Sequence, residues 1–115
     1  MDTVQLEING TSGDKELEGH MATLFLELFE IFKAKQADYG PGNIAIGGEK
    51  GCLIRANDKL QRLWQLVWGD KENSVKNESV EDTWLDLADY ALIALLVRRG
   101  EWPRLEYITG KGEST

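Results

Sequence analysis

Between Asp14 and about Tyr39, Leu17, Met21, Leu24, Leu28 and Phe32 recur at intervals of three and four residues. That is the repeat of one helical face, and Asp14 stands where an N-cap is needed. Leu26 and Phe29 lie on other sides of the same helix. One small bundle cannot bury them all, so a second subunit is expected to cover the rest, in a dimer or a tetramer. A second helix is expected from Cys52 to Trp68, with Leu53, Ala56, Leu60, Leu63, Trp64 and Val67 inward and Gly69 as its stop. A third, Glu78 to Arg99, ends in the apolar run Ala91–Val97 and is closed by Gly100 and Pro103. Trp102, Leu105, Tyr107 and Ile108 are then expected to pack back. Gly40 to Gly51 holds five glycines and Pro41 and predicts a loop, with Ile44 and Ile46 as its apolar anchors. Val4, Leu6 and Ile8 alternate with polar residues, which reads as a short strand or a loose arm. Residues 1–13 and 110–115 are expected to be loose termini. The whole reads as a single all-α domain over 1–115, an antiparallel bundle of three main helices whose core is completed by oligomerisation.

The charged positions change that picture at two places. On the third helix Glu78, Asp82, Asp86 and Asp89 are spaced by four, four and three and fall within a wedge of roughly 80°. Like charges on one stripe repel by a few tenths of a kcal/mol per neighbouring pair, and no Lys or Arg interrupts this one. Glu78 and Asp82 suit the positive end of a helix, but Asp86 and Asp89 lie too far inside for that. A divalent cation with hard oxygen ligands is the natural counter-charge. On the second helix Arg55, Lys59 and Arg62 recur at four and three residues. The plain alternative is a solvated face, and the functional one is phosphate contact. On the first helix Glu27 and Glu30 form an ExxE pair, and Asp38 projects close to Glu27's direction about three turns later. Alone these are ordinary surface charge; opposite a second acidic helix they become candidate ligands.

Composition narrows the function classes. At 115 residues and 42% hydrophobic content the chain is one domain with enough apolar material for a core. A net charge of −7 argues against a protein that coats DNA or RNA, but leaves small anionic ligands open if a metal mediates. Cys52 is the only cysteine, which suits a reducing cytoplasm. The first ten residues do not form a secretory signal, and no apolar run approaches the ~20 residues that span a bilayer. His20 is the only histidine, so a three-His zinc site is excluded, and no Gly-x-Ser-x-Gly elbow marks a Ser-His-Asp triad around it. Cys52 reads as buried structure, although its place at a helix start could lower its pKa. The four tryptophans read mostly as core.

Three blocks, KAKQADYG (Lys33–Gly40), RANDKLQRL (Arg55–Leu63) and ESVEDTWLDLADYALIAL (Glu78–Leu95), resemble the nucleotide-modification-associated family of small phage and bacterial proteins. They cover roughly a third of the chain. More distantly, an ExxE on one helix and a DxxD before an apolar run resemble the MazG and dimeric dUTPase group of all-α nucleoside triphosphate pyrophosphatases. In that group an ExxE and an ExxD hold magnesium at the triphosphate. The resemblance implies Glu27 and Glu30 as the first pair and Asp86 and Asp89 as the second. Asp86 stands where the second motif opens with Glu, and Leu26 where the first often has another acid.

What the resemblance implies is a Mg²⁺-dependent (Mn²⁺-tolerant) nucleotide pyrophosphohydrolase that cleaves a nucleoside or deoxynucleoside triphosphate to monophosphate and pyrophosphate. Glu27, Glu30, Asp86 and Asp89 would be its catalytic metal ligands, and Asp82 and Glu78 spare or supporting ones. Arg55, Lys59, Arg62 and Asp38 would contact substrate. The expected setting is the cytoplasm of a bacterial or phage-infected cell, with no polymeric nucleic acid and no membrane as partner. The alternatives are a non-catalytic nucleotide-binding or adaptor module of a DNA-modification system, and a purely structural helical oligomer.

Overall fold

The computed structural model describes residues 14–69 and 79–108. The expected strand at Val4–Ile8, Glu78 and the tail from 110 lie outside them. Three main helices follow one another: α1 (Lys15–Tyr39), α2 (Gly42–Leu63) and α3 (Val80–Arg98), with a single further turn, α4 (Leu105–Ile108). No strand occurs among the described residues, and the all-α three-helix architecture is as the periodicity predicts.

The ends of α1 and α3 are written in local chemistry. The Asp14 carboxylate accepts from the Leu17 N–H at 2.9 Å, satisfying one of the amides that the first turn leaves open. Gly40, at φ 70°, turns the chain out of α1 while its N–H donates to Gln36 O. At α3, Ser79 and Asp82 form a reciprocal capping box: the Asp82 N–H donates to Ser79 Oγ at 3.0 Å and the Ser79 N–H to Asp82 Oδ2 at 3.2 Å. Gly100, at φ 71°, ends it.

Of the expected loop Gly40–Gly51, only Gly40 and Pro41 connect the helices, and residues 42–51 are instead the first half of α2. Each helical glycine costs about 1 kcal/mol relative to alanine, and the opposing contribution is the burial of the whole apolar cluster that α2 joins, at about 1.5–3 kcal/mol for each large side chain. Ile44 is buried with Cys52, Ile93 and Trp102, and that burial outweighs the local preference. The glycines express themselves at one residue. Gly48 sits at φ 62°, ψ −154°, where α2 kinks, in a backbone region that side chains with a Cβ avoid. Open space surrounds the positions where Gly47 and Gly48 would carry a Cβ, so the backbone alone decides the cost. Gly48→Ala is expected to lose about 1–3 kcal/mol, while Gly47→Ala, at a helical position, is neutral or slightly stabilising. Equal urea midpoints for the two variants would contradict this.

α2 packs along α3, and the segment after α3 closes over both. Trp102 is buried, its Nε1–H donates to Pro41 O at 3.0 Å, and its ring meets Phe32 of α1 edge-on at 6.0 Å. It fastens the α1–α2 turn to the far end of α3. Arg98 adds an exposed ion pair to Glu49 at 3.0 Å. The Trp102 side packs back as expected. Trp64, Trp68 and Trp84 are exposed rather than core, and Trp64–Trp68 form a π-helical turn that carries α2 to Gly69. On α1 only Leu28 of the expected core face is buried and Phe32 is partly covered, while Leu17, Met21, Leu24 and Phe25 stay exposed. Leu53 and Leu60 of α2 are likewise exposed.

Candidate functional site: an ion-paired cavity between three helices

With α3 started at Ser79, residues 86, 89, 90 and 93 fall at i, i+3, i+4 and i+7 and share one face. Asp86, Asp89, Tyr90 and Ile93 all line a cavity of about 300 Å³. From α2 come Arg55 and Lys59, one turn apart. From α1 come Phe32, Lys35, Gln36 and Tyr39, and Tyr39 stands 77% exposed at the lip.

The acidic stripe finds its counter-charge on the neighbouring helices. Asp86 Oδ1 accepts from Lys35 Nζ at 2.7 Å, and Asp86 Oδ2 pairs with Lys59 Nζ at 3.1 Å. One carboxylate, with 17% side-chain exposure, thus joins α1, α2 and α3. Burial alone would raise the Asp86 pKa, but the hydrogen bonds and charges of the two lysines outweigh it and hold the carboxyl below its ordinary value.

Asp89, one turn on, is the opposite case. It is buried at 5% exposure, and its Oδ2 has no hydrogen-bond partner. Burial pushes its pKa up to about 6; the Lys35 charge opposes the rise and the Asp86 charge adds to it. A buried carboxylate with an unsatisfied oxygen is costly and marks a position where a ligand would repay the cost.

The other proposed site residues are placed as follows. Arg62 points to the base of α3, where its Nε–H donates to Oγ1 of the fully buried Thr83 at 3.1 Å. Asp82 is exposed and serves the capping box. Glu27, Glu30 and Asp38 are exposed and do not line the cavity, and Glu30 pairs with Lys33 at 3.1 Å. Among the described residues no three Asp, Glu, His or Cys side chains gather as a ready metal shell. His20 is at the surface, 3.8 Å from Glu16. Cys52 is buried, and burial raises its pKa although the Arg55 charge opposes this. The expected helix-start effect does not arise, because α2 begins at Gly42 and Cys52 stands in mid-helix.

Lys35, Gln36, Tyr39 and Tyr90 are cavity residues that periodicity did not single out. Lys35 and Tyr39 lie inside the Lys33–Gly40 block, so the signal was present without a role attached to it.

Asp86 and Asp89 lie on one cavity wall, and two carboxylates are what a Mg²⁺ ion held jointly with phosphates would need. Mg²⁺ dehydrates reluctantly and is commonly held by one or two carboxylates plus substrate phosphates rather than by an all-protein cage. Asp86 and Asp89 would hold it, and the orphaned Asp89 oxygen is the observation that favours this. Glu27 and Glu30 are not part of that wall. No protein-family model, curated protein or solved structure matches the chain.

Proposed function

We propose that the cavity binds a nucleoside or deoxynucleoside triphosphate together with Mg²⁺ or Mn²⁺, and that the protein is a MazG-like pyrophosphohydrolase releasing monophosphate and pyrophosphate. The observation that carries the reading is the convergence of Lys35, Arg55 and Lys59 with Asp86 and Asp89 from three helices on one cavity. The bound cation would supply charge neutralisation at the phosphates and an acidified water. The chain's own residues supply the rest. Arg55 offers a planar fork and Lys59 a point charge to phosphate oxygens. Tyr39 and Tyr90 offer ring faces against which a base can pack. Asp89, with its buried oxygen left without a partner, would hold the cation beside Asp86.

The alternative of a non-catalytic nucleotide-binding module is favoured by the lysine pairs that already occupy Asp86. A panel of nucleoside triphosphates with Mg²⁺, read by pyrophosphate and monophosphate release and by calorimetric binding, separates the two. The enzyme reading expects release with at least one base, and a loss of at least about a hundredfold in kcat/KM for Lys59→Met, about 3 kcal/mol of transition-state stabilisation. Binding without release leaves the module, and absence of both removes the nucleotide.

The setting proposed is the cytoplasm. No described helix is long and apolar enough to cross a membrane. A homo-oligomer, dimer or tetramer, is proposed on the exposed apolar residues Leu17, Met21, Leu24 and Phe25 of α1. Light scattering that gives a monomer at micromolar concentration would remove it.

A further inference from the structure

Asp86 gathers two ammonium groups, one from α1 and one from α2, one on each of its oxygens, at 2.7 and 3.1 Å. Lysine is a point charge without fixed geometry, and it holds a carboxylate or a phosphate oxygen equally well. Arg55 lines the same cavity, so three cations face it beside the two carboxyl groups of Asp86 and Asp89. Three residues along the same helix, Asp89 lies buried in the cavity wall with Oδ2 unpartnered. The cavity therefore holds preassembled cations bound to an internal anion, beside a carboxylate oxygen that has nothing bound to it.

We propose that Asp86 is an internal stand-in for phosphate. An oligophosphate entering the cavity takes Lys35 and Lys59 from Asp86, and the carboxylate so released turns, with Asp89, to a divalent cation. Lys35 is thereby a phosphate-binding residue, and anion and cation favour each other's binding through an exchange of ion pairs within the protein. This rests on the triphosphate reading above. It needs no covalent step.

The coupling has a direction that differs between variants. Lys35 and Asp86 oppose each other's ligands: the lysine masks Asp86 from a cation, and Asp86 masks the lysines from an anion. Because coupling is reciprocal, each removal should strengthen binding of one ligand and weaken the other. A chelate of metal and oligophosphate in solution would hide this, so the ligands are measured separately.

Inorganic tripolyphosphate with EDTA present, followed by calorimetry, should bind about tenfold more tightly to Asp86→Asn than to the wild type, and about tenfold more weakly to Lys35→Met. Mn²⁺ alone, followed by electron paramagnetic resonance, should bind about tenfold more tightly to Lys35→Met and be lost in Asp86→Asn. Asp86→Asn binding tripolyphosphate no better than the wild type, or Lys35→Met leaving Mn²⁺ affinity unchanged, overturns the exchange. Circular dichroism melts establish that each variant is folded. Should Asp86→Asn fail to fold, Lys35→Met and Lys59→Met carry the test, each required to weaken tripolyphosphate and strengthen Mn²⁺. If the wild type binds tripolyphosphate neither with nor without Mn²⁺, the triphosphate reading itself falls; if it binds but the variants do not move in opposite directions, only the exchange falls.

Discussion

Asp89→Asn is expected to stabilise the protein at pH 8 by up to about 3 kcal/mol, and to have almost no effect at pH 4. The folded carboxyl titrates near 6, against 3.8 for the ordinary group. Between those values the folded state binds more protons than the unfolded one, so wild-type stability falls as pH rises from about 4 to about 6. Above that window the penalty is complete; below it the carboxyl is neutral in both states and the penalty is absent. The variant lacks the titration, so its profile should be flatter by that amount. Asp89 is only 5% exposed, so solvent does little to discount the figure. The amide still lacks a full set of partners, which keeps the gain below the upper value. Urea unfolding at pH 4, 6 and 8 checks it, and parallel profiles for the two proteins would show that Asp89 does not titrate as stated.

Asp86→Asn should move stability the other way. Read from the acidic stripe alone, removing one charge relieves repulsion and raises the melting temperature slightly. With Lys35 and Lys59 on its two oxygens, the substitution instead leaves two ammonium groups facing each other with a neutral amide between them. The expected loss is about 1–3 kcal/mol, the value of hydrogen bonds to charged groups discounted because Lys35 is 45% exposed. Since the folded carboxyl lies below its ordinary pKa, the stability it contributes is present above about pH 4 and is lost as pH falls through the lower folded value. The difference between variant and wild type should therefore be flat from pH 5 to 8 and shrink in acid. A melting temperature for Asp86→Asn above that of the wild type at pH 7 would restore the repulsion account.

The contrast between these two acids shows where sequence reasoning reached and where it stopped. The bounds of α1 and the end of α3 were legible because Asp14, Gly40 and Gly100 act on the backbone beside them. Arg55, Lys59, Asp86 and Asp89 were legible as two stripes, because helical spacing places each pair on one face, and they do line one cavity. The partner of the acidic stripe was not legible, because it comes from other helices: Lys35 is 51 residues from Asp86 and has no basic companion at helical spacing on α1. Spacing also cannot say which side of α1 meets a neighbour. Glu27, Glu30 and Asp38 satisfy an i,i+3 or longer repeat yet face solvent. The start of α2 was missed for a related reason. Glycine and proline content reports local preference, while the burial of Ile44 against Ile93 and Trp102 is set by residues about fifty positions away.

The bond from Trp102 Nε1–H to Pro41 O closes a span of 61 residues, and Pro41 adjoins Tyr39 and Gly40 at the cavity's edge. Ring closure over that length costs entropy before any contact repays it, so this contact is expected to form among the last. On a ribosome the order is stricter still. α1 and α2 emerge while Asp86, Asp89 and Trp102 are not yet made, and the lysines then have no carboxylate to gather around. A nascent chain halted before residue 102 should thus lack the clasp that holds the α1–α2 turn at the cavity's edge, however much helix it already contains.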